Sequence, residues 1–233
     1  MTQHTNMLTL VIGNKNYSSW SMRPWVILKA LDIPFTEVLL KFHSPEWDAN
    51  IAHYSPSKLV PVLWDGVVGA AGSTCVWEST AIYEHLAEAY PDRPVWPTAM
   101  NARSHARSIV GEMHAGFRPL RSAMPMNIRA RCPGMGMSED VAKNIARIEA
   151  MWRQTRERFG NDGPFLFGAF GAADAMYTPV VMRFMTYSPT LAADTETYCK
   201  AVREHPAVAE WMQDALAEAE FVTEDEPYAA QIK

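Results

Sequence analysis

The sequence predicts a small α/β domain followed by an all-helical one. Three observations carry this reading. Short β-branched runs alternate with helical stretches up to about residue 91. Pro91, Pro94 and Pro97 then punctuate seven residues. Beyond them strand signals largely vanish while helical periodicity continues. The reading is residues 1–90 as the first domain, 91–97 as a linker and 98–233 as the second.

Elements follow in order. Leu8–Ile12 reads as a strand, and Ser21–Leu31 as a helix with Pro24 tolerated in its first turn. Phe35–Leu40 is a second strand and Pro45–Ala52 a short helix. Val60–Trp64 is a third strand closed by the turn Asp65-Gly66, and Cys75–Trp77 a short fourth. Ser79–Tyr90 is a helix with hydroxyls at its start. Strands interleaved with helices imply a mixed sheet covered by helices. After the prolines, Thr98–Met124 reads as one long helix bent by Gly111, Gly116 and Pro119. Cys132–Met137 is a loop, and Ser138 caps a helix running to Phe159. Ala172–Phe184 is apolar enough to be central and buried. Asp194–Glu204 and Ala207–Glu220 complete the set.

Composition narrows the function. The chain has 233 residues, 48% of them apolar, which is too many for a disordered chain. Its formal charge of −5 argues against nucleic acid as the main partner. No stretch of about eighteen consecutive apolar residues predicts a membrane span. Met1–Asn6 lacks the pattern of a signal peptide. Cys75, Cys132 and Cys199 are odd in number and far apart, with no CxxC. The histidines show no HxxxH or HxH spacing, so no metal site is expected. The expectation is a cytoplasmic protein with reduced thiols.

Three places could carry chemistry. The first βα junction reads Asn14-Lys15-Asn16-Tyr17-Ser18-Ser19-Trp20-Ser21-Met22-Arg23-Pro24, with hydroxyls crowding a helix N-terminus. That position favours anions, and a hydroxyl there can stabilise a thiolate. The plain alternative is that Ser19 or Ser21 caps the helix. The second is Ser55-Pro56-Ser57-Lys58-Leu59-Val60-Pro61. A cis Val60–Pro61 bond would turn the Val60 backbone outward to pair with a peptide-like ligand; a trans proline would simply open an edge strand. The third is Glu78-Ser79, where a strand meets a helix. Ser79 suits a carboxylate and Glu78 an ammonium, or Ser79 is a plain N-cap.

These features, in this order and followed by a helical half, resemble the cytosolic glutathione transferase family over nearly the whole chain. Tyr17-Ser18-Ser19-Trp20-Ser21-Met22-Arg23 is similar to the S-S-C-S-x-R signature of the zeta class, with Ser18 matching its first serine. Ser-Pro-Ser-Lys-Leu-Val-Pro at 55–61 resembles N-P-x-K-x-V-P, and Glu78-Ser79 matches the family's E-S pair. Gly168-Ala169-Phe170-Gly171-Ala172-Ala173-Asp174 resembles the helix-capping G-x-x-(S/T)-x-A-D. Trp20 stands where the zeta class has cysteine, and Leu59 where it often has glutamine. The chain looks like a serine-type, zeta-like bacterial member.

The resemblance implies a thioredoxin-like N-terminal domain, a helical second domain, a homodimer, and glutathione as co-substrate. It implies that Ser18 activates the thiol, with Tyr17 and Ser19 as rival donors. It places Ser18, Trp20, Val60, Pro61, Glu78 and Ser79 around glutathione, with Lys41, His43 or Lys58 holding the glycyl carboxylate. A small, partly apolar electrophile is expected between the domains, lined by Tyr17, Met113, Phe117, Arg121 and Met124, with Trp20 and Met126 adjacent. Arg118, Arg121, Arg129 and Arg131 make that region locally basic. Three functions follow: a detoxifying glutathione transferase, a glutathione-dependent isomerase of a maleylacetoacetate- or maleylpyruvate-like diacid, or a non-catalytic binding module of the same fold.

Overall fold

The structure, a computed structural model, describes residues 7–231. The N-terminal hexapeptide Met1–Asn6 lies outside the described residues. Strand β1 (Leu8–Ile12) sits inside a four-stranded sheet of order β2-β1-β3-β4. It pairs in parallel with β2 (Phe35–Leu39), in the register Leu8 with Phe35, and antiparallel with β3 (Val62–Asp65). Strand β4 (Thr74–Trp77) pairs antiparallel with β3 and closes the far edge. Period-two alternation sorts the side chains of β1 between two layers. Leu8, Leu10 and Ile12 enter the main core, while Val11 joins Leu40, Ile51 and Val62 beneath α2 (Pro45–Tyr54). Each such fully buried side chain is worth about 1.5–3 kcal/mol.

Helix α1 (Ser19–Ala30) crosses over between β1 and β2, and α3 (Ser79–Ala89) packs beside it. The helical half comprises α4 (Met100–Ala115), α5 (Arg118–Ala123), α6 (Glu139–Phe159), α7 (Ala172–Tyr187), α8 (Ala193–Glu204) and α9 (Pro206–Ala217). Ser138 caps α6 through the Val141 N–H. Asp174 holds the start of α7 by accepting from the Gly171, Leu166 and Tyr198 donors. The two halves share one continuous core: α1 packs on α7 and α9, and the cluster runs from Leu8 and Trp25 to Trp152 and Tyr177.

Several boundaries differ from the sequence expectation, and four of these differences bear on the site. Helix α1 begins two residues earlier, so Pro24 lies inside it rather than in its first turn. Strand β3 begins at Val62, because Pro61 has no N–H to join the ladder. The long helix expected to run from Thr98 to Met124 is two, α4 and α5, broken where Phe117 adopts a left-handed φ of 56°. Helix α9 ends at Ala217, and the chain continues as an irregular segment with 3-10 turns at Thr223–Asp225 and Ala229–Gln231.

Candidate active site

The site is built on the loop between β1 and α1. The Asn14 carbonyl accepts from the Ser18 N–H at 2.7 Å, and its side-chain oxygen accepts from the Phe42 N–H at 2.8 Å. This tight loop delivers Ser18 to the N-cap of α1, where helical N–H groups and the dipole favour negative charge. The Ser18 hydroxyl makes no capping bond. It donates instead to Ser21 Oγ at 2.7 Å, and Ser21 Oγ also accepts the Gly13 N–H at 3.1 Å. The hydroxyl is thus held by a short polar chain rather than consumed by the helix.

A cavity of about 360 Å³ opens at this junction. Tyr17, Ser18, Ser19 and Trp20 form one wall, Phe42 and Trp47 another, and Leu59 and Val60 a third. Arg121, Pro125, Met126, Arg183 and Asp225 close the side belonging to the helical half. Val60 precedes a cis peptide bond to Pro61 and lies just beyond the β3 ladder. Among the described residues its N–H and C=O have no intramolecular partner, so both are available to an extended ligand.

Glu78 and Ser79 stand behind Trp20. Pro24 lacks the N–H that would reach the Trp20 carbonyl four residues earlier, and the Ser79 hydroxyl donates to that carbonyl at 3.3 Å. Glu78 adopts a φ of 70°, a strained choice for a non-glycine residue. Its carboxylate lies 3.6 Å from His114, whose ring meets Trp20 edge-on.

The rival donors are differently engaged. The Tyr17 ring lines the cavity, but its hydroxyl donates to Glu226 at 2.7 Å and accepts from Arg129 at 2.7 Å. Burial, then the Glu226 carboxylate, pushes its pKa up. Among the described residues Ser19 Oγ has only a long bond from Arg183, at 3.4 Å.

Three expected pocket residues are elsewhere. Met113 and Met124 are completely buried in the core and Phe117 nearly so, because their faces of α4 and α5 pack on α7 and α6. Arg121 and Met126 do line the wall as expected, joined by Pro125. Of the other arginines, Arg129 and Arg131 are spent largely on backbone carbonyls. The basic candidates for a glycyl carboxylate also separate. Lys41 pairs with Glu220 and His43 lies 3.5 Å from Glu224, while Lys58, at a φ of 57°, has no ion pair among the described residues. Arg183 and Asp225 escaped the sequence reading. Arg183 left a signal, being a lone cation in an apolar helix; Asp225 left none.

The three thiols sit apart from this cavity, and burial raises each, Cys199 to about 12. Among the described residues there is no cluster of metal-ligating side chains, and no helix is long and apolar enough to cross a membrane.

Comparison with known proteins bears on this geometry. Residues 17–89 match the family "Glutathione S-transferase, N-terminal domain", and residues 136–214 match "Glutathione S-transferase, C-terminal domain". A probable maleylacetoacetate isomerase of Caenorhabditis elegans is 28% identical over 141 residues, 58% of this chain. The match spans 62% of the length of that curated relative. A glutathione transferase homologue from Burkholderia, solved with bound glutathione, superimposes with a TM-score of 0.65 at 19% identity, over 89% of this chain and 97% of that one. Human glutathione-S-transferase T1-1 in its apo form gives the same score and identity over 96% and 97%. Omega 2S from the fungus Trametes versicolor gives 0.58 at 20% identity, over 97% and 96%. At these identities the structural likeness speaks for the fold.

Proposed function

The chain belongs to the glutathione transferase family, and from that premise we propose that it activates the glutathione thiol through the Ser18 hydroxyl for attack on a small electrophile. The observation that carries this is the Ser18 hydroxyl itself: at a helix N-terminus, facing the cavity, and free of capping duty. Glutathione supplies the thiol nucleophile. Ser18 donates to its sulfur and stabilises the thiolate. As Ser18 turns its proton outward, Ser21, fixed by the Gly13 N–H, turns its own proton toward Ser18. Val60 pairs with the cysteinyl backbone, the Ser79 N–H at the start of α3 receives the γ-glutamyl carboxylate, and Glu78 receives the ammonium. Among the basic candidates Lys58 is favoured for the glycyl carboxylate, since Lys41 and His43 already face carboxylates. Tyr17 is disfavoured as donor because Glu226 already takes its proton.

A second reading draws on the curated relative, described as a maleylacetoacetate isomerase: glutathione-dependent isomerisation of a small diacid. Turnover that leaves glutathione unconsumed favours it over conjugation. A cytoplasmic homodimer belongs to the same proposal, and sedimentation equilibrium tests the dimer. The deciding experiment for the main reading is the ultraviolet thiolate absorbance of bound glutathione against pH. A lowered thiol pKa in wild type that is lost in Ser18→Ala supports it. Absence of glutathione binding defeats it in favour of a non-catalytic module.

A further inference from the structure

Three guanidinium groups lie under one wall of the cavity. Arg23 and Arg183 are buried and Arg121 half-buried. None of the three forms an ion pair among the described residues. Arg23 donates to the Ser19 and Met176 carbonyls, and Arg183 to the Met124 and Pro179 carbonyls and, at 3.4 Å, to Ser19 Oγ. Arg23 stacks on the Trp20 ring at 4.1 Å and Arg121 packs on it at 5.3 Å. Among the described residues Arg23 Nη2 and Arg121 Nε have no hydrogen-bond partner. Buried cations without a counter-charge are costly, and each unmet donor adds to that cost. Burial and mutual repulsion accordingly lower the pKa of Arg23 to about 9 and of Arg183 to about 10.

Two of these groups, Arg121 and Arg183, line the cavity, and Ser19 lines it beside them. One carboxylate lines the same side of the cavity, Asp225, within electrostatic reach of Arg183. Its side chain makes no hydrogen bond and no ion pair among the described residues, although Arg183 and His43 act on it electrostatically. Asp225 is placed there by its neighbours. Glu220 pairs with Lys41, Glu226 accepts from Tyr17, and Tyr228 donates to the Ala123 carbonyl. The C-terminal segment therefore holds a carboxylate beside the arginines of the cavity without a hydrogen bond or ion pair of its own among the described residues.

We propose that Arg121, Arg183 and Ser19 form a carboxylate subsite for the second substrate, with Asp225 as its exchangeable resident counter-ion. The second substrate is then an acid with an apolar body. Its carboxylate takes the forked donors of the guanidiniums, and its apolar part lies on Phe42, Pro125 and Met126. Binding of the acid displaces Asp225 and lifts the C-terminal segment from the cavity. The proposal rests on the glutathione reading only in calling this ligand a second substrate.

The test titrates the full chain with 3-nitrobenzoate and with 3-nitrobenzamide, uncharged but of the same shape, with and without S-methylglutathione. Wild type binds the acid tighter than the amide by about tenfold or more, the value of one charge-assisted bond. Arg121→Gln loses that ratio. Asp225→Asn tightens the acid about three- to tenfold and leaves the amide unchanged, as removal of a competing carboxylate requires. Glu224→Gln, which removes the same charge one residue away, leaves the ratio unchanged. The proposal is overturned if acid and amide bind equally in both wild type and Asp225→Asn, if Arg121→Gln keeps the ratio, or if Glu224→Gln tightens the acid as much as Asp225→Asn does. Failure of S-methylglutathione to bind, with the acid preference intact, defeats the glutathione reading alone.

Discussion

Replacing Ser18 by alanine tests the proposed chemistry most directly. Among the described residues the hydroxyl makes a single hydrogen bond, to Ser21, and it does not cap α1. Ser21 keeps the Gly13 N–H, so folding stability falls by only about 0.5–1.5 kcal/mol. The effect on a bound thiolate is larger. A hydrogen bond to a charged acceptor is worth about 1.5–3 kcal/mol, or roughly one to two pKa units. From an ordinary thiol value of about 8.5, wild type brings the bound thiol to about 6.5–7.5. Ser18→Ala returns it most of the way, and the thiolate fraction at pH 7 falls roughly four- to twenty-fivefold. The N-terminus of α1 remains and keeps a residual shift of under about one unit. The assay is thiolate absorbance against pH, with S-methylglutathione binding as a control. That thioether has no proton to lose, so its affinity stays unchanged in the variant. A bound-thiol pKa that stays within about 0.3 units of wild type refutes the serine mechanism and leaves Ser19, or a reoriented Tyr17, as donor.

Other outcomes are equally specific. Glu78→Gly relieves a φ of 70° and stabilises the chain by about 1 kcal/mol after the added entropy of glycine, while glutathione affinity falls; calorimetry and binding read the two opposing changes. Asp174→Ala strands the Leu166, Gly171 and Tyr198 donors and costs about 3 kcal/mol in urea denaturation. Tyr17→Phe leaves the bound-thiol pKa alone but removes one partner each of Arg129 and Glu226, so limited proteolysis cuts the C-terminal segment sooner. Burial raises the Asp225 carboxyl to about 6. The native state then holds a proton that the unfolded chain has released, so this group makes stability fall as pH rises from about 4 to about 6. Asp225→Asn flattens that stretch of the pH–stability curve.

Strand β1 and the start of α6 were readable at their true bounds, because each rests on local chemistry: a β-branched run for one, a serine cap for the other. The break between α4 and α5 was not, since a left-handed phenylalanine is imposed by packing and carries no local signature. The same limit applies to the pocket. Met113 and Met124 lie on apolar stripes, and a stripe looks alike whether it faces a core or a cavity. The serine-rich βα junction and the Val60–Pro61 step stood out because their residue types conflict with an ordinary helix start and an ordinary strand. The C-terminal segment did not, being acidic and aperiodic, and its place over the cavity depends on partners such as Tyr17 and Lys41, some 200 residues earlier in the chain.

Helix α1 is enclosed on more than one side, with Met22 to Leu28 all buried between the sheet, α7 and α9. During synthesis this helix leaves the ribosome long before its cover is made. The nascent α/β half must wait with Trp25 and Ile27 exposed until α7 and then α9 emerge. Ribosome-stalled chains ending before Ala172 should therefore recruit holding chaperones, and chains extended past Ala217 should release them.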